Sequence, residues 1–187
     1  ILLYLAPSIV VLFSAVLWKE PLTGRKITAL LLALVGCALV SGIAGGSLTV
    51  TVRGLLLGIG AGFSYAMYTV FAHYGLRKYD SYTVIYWTAV FAGIGSLAFL
   101  NWTELRAALP DGRTWLYMAG LVVIATVLPY LFYTKGLEGA EEGMASIMSN
   151  VEPVVAALMG AALFGEPITF LTAAGIACVL AGVSILR

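Results

Sequence analysis

Glu152 has the clearest capacity for chemistry in this chain, an acid placed about eight residues into an otherwise apolar run that opens at Met144. A carboxylate deep in a membrane helix costs on the order of 2.5 to 3.5 kcal/mol on insertion scales, so it must face water, a partner or a proton. Two readings stand. It is either a titratable group facing a cavity, where it binds a cation or couples proton movement, or a residue near the helix rim held by local donors. Ser149 and Asn150 lie beside it, and Tyr65, Tyr68 and Tyr130 carry further hydroxyls into apolar runs, where they can meet a polar group of a solute. Asn150 and Glu152 are two positions apart, about 200° around a helix, so they cannot both point straight into one cavity. Aromatics at run ends, namely Trp18, Tyr82, Trp102 and Trp115, read instead as interfacial anchors. His73, the single histidine, stands near Arg77 and Lys78 and reads as interfacial. There is no phosphate loop, no metal-ligand spacing and no nucleophile with a base, so an enzyme, a metal site or a cofactor is not expected.

The elements that must hold these residues are apolar helices. Of 187 residues, 61% are hydrophobic and 10% charged, and the mean hydropathy is +1.02, far from a soluble domain with about 25% charged residues. The composition is that of an integral membrane protein. A net charge of +1 gives no reason to expect nucleic acid as a partner. Seven runs approach the roughly 20 residues that cross a bilayer: 1–18, 27–44, 54–74, 82–100, 114–133, 144–164 and 170–186. None alternates as a membrane strand would, so the expected fold is all-α, a polytopic transmembrane helix bundle. Cys37 and Cys178 each fall inside a run and read as small packing residues.

One stretch occurs twice. Pro7 opens an apolar helix that closes at Glu20-Pro21-Leu22-Thr23, and Pro153 opens another that closes at Glu166-Pro167-Ile168-Thr169, an offset of 146 residues that also lays Gly36 on Gly182. Repetition at this spacing points to two related halves. Residues 1–48 then hold the last two helices of a first repeat, and 49–187 a complete second repeat of five. Taking the first helix of the second repeat to begin near Arg53, subtracting the offset places the start of the first repeat roughly 90 residues before Ile1, so the expectation is an N-terminally truncated member of a ten-helix architecture. An odd number of helices per half inserts the halves with opposite orientation, giving two inverted five-helix repeats. Pro7 and Pro153 each remove a helix hydrogen bond and are expected to bend the helix and serve as hinges, with Pro129 read in the same way. Glu20 and Glu166 read as structural acids whose carboxylates accept amides at the start of the following helix, and Thr23 and Thr169 as its caps. Gly54, Gly58 and Gly62 share a face where another helix can approach closely. The last run, with Ala174, Cys178 and Ala181 along one side, is a packing helix able to join halves or protomers in a homodimer.

Basic residues set the direction of insertion. Lys19, Arg25, Lys26, Arg77, Lys78, Lys135 and Arg187 fall on one side, and Arg53, Arg106 and Arg113 on the other. Seven against three puts the loop after the first run and the C-terminus in the cytoplasm.

The doubled Pro-to-Glu-Pro helix, the Lys19-Glu20-Pro21-Leu22-Thr23 turn with Gly36, the Ala145-Ser146-Ile147 and Glu152-Pro153-Val154 segments, and the stretch from Gly54 to Arg77 together resemble the drug/metabolite transporter superfamily, specifically its EamA-type ten-helix members. The resemblance covers essentially the whole chain. It implies a bundle in the cytoplasmic membrane that moves small organic metabolites or drugs, often outward, by alternating access and without ATP, with protons as a candidate coupling ion. The alternative from another class is a helical membrane protein that does not transport and acts as a signalling or assembly partner.

Overall fold

The computed structural model describes residues 2–41 and 51–186. The boundary drawn at residue 48 and the basic residue Arg187 therefore lie outside the described residues, as do the last three positions of the second apolar run. Each run forms a helix: α1 (Leu2–Leu17), α2 (Gly24–Val40), α3 (Val52–Leu76), α4 (Ser81–Phe99), α5 (Trp102–Ala108), α6 (Gly112–Leu137), α7 (Glu142–Phe164) and α8 (Phe170–Ile185). Four of them, α3, α4, α6 and α7, are long and apolar enough to cross a membrane. Helices α1 and α8 are apolar but shorter, and α2 has 17 residues. The protein is an all-α, multi-pass integral membrane protein embedded in the bilayer.

Helix α5 was not expected. Asn101 accepts the Thr103 and Glu104 amides at 3.2 and 3.4 Å, and its own side-chain nitrogen donates to Glu104 at 2.8 Å. This reciprocal cap is enough to start a short polar helix between two apolar ones.

Each of three prolines follows an irregular turn. A 3₁₀ turn over Leu2–Leu5 precedes Pro7, another over Ser149–Val151 precedes Pro153, and a π turn over Val123–Val127 precedes Pro129. Proline cannot donate the regular bond, and in each case the ladder is irregular in the turn before it. In the π turn the Thr126 hydroxyl donates to the Leu121 carbonyl at 3.2 Å.

Contacts divide the chain into two compact units, one of Ile1–Phe71 with Ala140–Arg187 and the other Ala72–Gly139. In the first unit α2 and α8 are laid against each other. A Cβ on Gly36 would come within 2.7 Å of the Gly175 carbonyl, and one on Gly182 within 2.8 Å of the Ala29 carbonyl. Moving up α2 from Ala29 to Gly36 means moving down α8 from Gly182 to Gly175, so the two helices run antiparallel. The packing face of α8 is Gly175, Val179 and Gly182, not the Ala174, Cys178, Ala181 side, because backbones approach closest where a Cβ is missing. The Gly face of α3 also packs: Gly58 lies on the Leu2 side chain and Gly62 on the Leu2 carbonyl.

In the second unit α4 packs on the end of α6. The Ser81 hydroxyl donates to Glu138, and the Lys135 ammonium donates to the Tyr82 hydroxyl at 2.9 Å. Large apolar side chains such as Trp87, Phe91, Leu116 and Ile124 are exposed along these helices, a surface that only lipid or protein can cover without cost.

Candidate functional site

The two Glu-Pro turns of the first unit fold alike. Lys19 and Gly165, equivalent under the offset, take the left-handed conformation with φ of 56° and 66°. The Glu20 amide then reaches back to the Ser14 carbonyl at 3.2 Å and the Glu166 amide to the Gly160 carbonyl at 3.3 Å. Glycine adopts this conformation freely and lysine at a cost. Both threonines cap as expected, Thr23 accepting the Lys26 amide at 3.3 Å and Thr169 the Thr172 amide at 3.1 Å.

The acids of these turns part company. Glu20 was expected to hold amides of the helix that follows it; instead its carboxylate accepts the Lys26 ammonium at 3.0 Å and the backbone amide of Glu142, at the start of α7, at 3.2 Å. Gly143 permits this, since a Cβ there would come within 3.1 Å of both the Glu20 carboxylate and the Ser14 hydroxyl. Lys26 also pairs with Glu141 at 2.6 Å. The Glu20 and Lys26 side chains are 10% and 5% exposed. Burial works against the charge on Glu20, but its bonds to Glu142, Lys26 and Ser14 outweigh that and hold its carboxyl below the ordinary range. Glu20, Lys26 and Glu141, with the Glu142 amide, thus form an ionic clasp, buried at Glu20 and Lys26, that ties the α1–α2 turn and α2 to the start of α7.

Glu166 has an exposed carboxylate lying across Gly160, where a Cβ would come within 2.5 Å of it. It borders a cavity of about 320 Å³ lined also by Tyr4, Ser41, Pro153, Ala157 and Thr172. No reading of the sequence singled out this cavity. The one available signal was the offset itself, which sets Thr172 where the first copy has Lys26.

Of the residues chosen from sequence, Pro153 lines that cavity, and Glu152, exposed, is its neighbour in α7. Asn150 is 1% exposed, so the two side chains lie on different sides of the helix, as their spacing requires. The Asn150 amide nitrogen and the Ser146 hydroxyl, one turn apart, find no hydrogen-bond partner among the described residues. The Ser149 hydroxyl is committed to the Ser146 carbonyl at 2.7 Å. Tyr65 is half-buried against Ala6, Val10 and Ala66, Pro7 is buried, and Tyr68 is half-buried a turn further along α3. Tyr130 belongs to the second unit, where it is half-buried and its carbonyl accepts the Thr134 hydroxyl at 2.7 Å. Both cysteines are free thiols.

The sequence is similar to those of known membrane proteins. An uncharacterized transporter of Archaeoglobus fulgidus is 33% identical over 190 residues, covering 99% of this chain and 64% of that protein. A second uncharacterized transporter of the same organism is 29% identical, with 99% and 65% covered. The uncharacterized inner membrane transporter YicL of Salmonella typhimurium is 30% identical, with 90% and 56% covered. The chain spans less than two thirds of the length of each of these relatives. Residues 52–187, the greater part of the sequence, match the EamA-like transporter family as a whole. The chain belongs to the EamA-like transporter family.

Proposed function

We propose that the protein is a secondary transporter, working as an exporter, that carries small organic metabolites or drugs across the cytoplasmic membrane by alternating access. In this reading all seven apolar helices cross the bilayer. They make up the last two helices of one EamA-type repeat and the whole of a second, inverted one, with the C-terminus in the cytoplasm. The observation that carries the reading is the α2–α8 contact. The offset of 146 turns the Gly36–Gly175 approach into the Gly182–Ala29 approach, as an inverted pair of equivalent helices requires.

Solute contacts are assigned to Glu152, Asn150, Ser149, Tyr65, Tyr68 and Tyr130. Asn150 is supported by its unpaired buried nitrogen, since such a donor costs about 1–3 kcal/mol unless something accepts from it. Pro7 and Pro153 are assigned as hinges, supported by the matching 3₁₀ turns before them, where the helix ladder is already interrupted. Glu152 is the coupling group, exchanging a proton as the two halves rock. Transport by vesicles containing the intact protein, measured across pH for wild type and Glu152→Gln, tests this. Wild-type transport is expected to depend on an imposed proton gradient, and the variant to lose that dependence. Identical pH profiles for the two would remove Glu152 from coupling.

A further inference from the structure

The internal repeat supplies a template for the Glu166 cavity. In the first copy the carboxylate of the Glu-Pro turn receives an ammonium, that of Lys26, at 3.0 Å. In the second copy the fold of the turn is the same, the acid is present, and the residue equivalent to Lys26 is Thr172. Threonine is too short to reach the acid, and its hydroxyl is engaged with Thr169 at 2.9 Å. Among the described residues no ammonium meets this carboxylate, whose turn is folded like the one that holds Lys26 in the first copy, and a cavity of about 320 Å³ stands beside it.

We propose that this cavity binds a small primary amine in its cationic form, with the ammonium on Glu166 in the position that Lys26 fills in the first copy. This rests on the transporter reading above and names its substrate class. The lining fits the ligand: a carboxylate for a charge-assisted hydrogen bond, the Tyr4 ring for a cation–π contact, and Val40, Ala156, Ala157 and Ile168 for a short apolar chain. Among the described residues no basic side chain lines the cavity, so an amine that also carries a carboxylate finds no cation there for its second charge. The preferred ligands are monoamines rather than amino acids. The cavity lies by the ends of α2 and α7 and the start of α8, the opposite end of α2 from Lys26.

The experiment is binding of n-butylammonium to the purified protein in lipid nanodiscs, followed by ligand-detected NMR, with n-butanol and 4-aminobutyrate as controls. Saturable binding is expected for butylammonium, with affinity for either control weaker by roughly tenfold or more. E166Q is expected to lose roughly tenfold or more by removing the charge. T172K is expected to lose binding as well, because it supplies an internal ammonium with the reach of Lys26. Glu166 is exposed and Thr172, in the first turn of α8, is half-buried, and helical content by circular dichroism checks that each variant is folded. Butylammonium binding that is absent from wild type, or unchanged in folded E166Q and T172K, overturns the proposal. Solute transport by a protein that fails to bind the amine leaves the transporter reading standing without its substrate class. Amine binding without transport does the reverse.

Discussion

Gly36→Ala and Gly175→Ala are each expected to destabilise the protein by about 1–3 kcal/mol, and Gly36→Val or Gly175→Val to prevent the fold from forming. The reason is that the obstacle in both cases includes backbone. A methyl on Gly36 meets the Val179 side chain at 2.5 Å and, beyond it, the Gly175 carbonyl at 2.7 Å and the Val179 amide nitrogen at 2.9 Å, and one on Gly175 meets the Gly36 carbonyl at 2.7 Å. Flexible side chains could swing aside; two helix backbones must separate along their length. Separation forfeits the dispersion contacts that hold helices together in lipid, where no hydrophobic drive replaces them. Gly60, Gly93 and Gly95 have open space around a Cβ, so alanine there should be neutral or stabilising by up to about 1 kcal/mol through helix propensity. Melting temperatures of the five alanine variants in detergent, followed by fluorescence-detected gel filtration, check the contrast. Equal effects at all five positions would contradict the contact.

The second large effect concerns the ionic clasp. Lys26→Met is expected to cost about 3–5 kcal/mol, because it leaves Glu20 buried with its charge uncompensated and an acidic partner beside it. The double variant Lys26→Met with Glu20→Gln should recover most of the loss, since removing both charges also removes the desolvation burden. The same clasp predicts a response to acid. The Glu20 carboxyl is held below its ordinary value of 4.5, so its contribution is complete above that value and is lost as the pH falls through the lower value in the fold. Thermal stability of wild type should therefore decline below about pH 4.5, and Glu20→Gln should be less stable at neutral pH and flatter in the acid range. Parallel pH profiles for the two proteins would show that Glu20 contributes nothing.

Much of the fold was legible because membrane helices announce themselves by length and composition, and because a repeat can be read without any structure. Thr23 and Thr169 were found as caps for a local reason, a hydrogen bond spanning three residues. Proline likewise marks where a helix is irregular, yet the turn winds tight before Pro7 and Pro153 and wide before Pro129, so the residue alone does not set which. The cap of α5 is legible in Asn101 and Glu104, but the short helix it starts falls between two apolar runs and is not marked by membrane-spanning length or composition. The clasp was out of reach. Glu20 meets the amide of Glu142, 122 residues further along, and no periodicity encodes that. The Glu166 cavity was missed for a related reason: a repeat was read for what its copies share, and the cavity arises where Lys26 and Thr172 differ.

The central claim is that equivalent turns of the two halves lie on opposite sides of the membrane. Leu22 and Ile168 are equivalent under the offset, and both are exposed, at 49% and 47%. Single cysteines placed there, in a background of Cys37→Ala and Cys178→Ala, can be tested with a membrane-impermeant maleimide on intact cells and on lysed ones. Labelling of Ile168→Cys in intact cells, with Leu22→Cys labelled only after lysis, is the predicted result. Labelling of both from the same side would contradict the inverted arrangement.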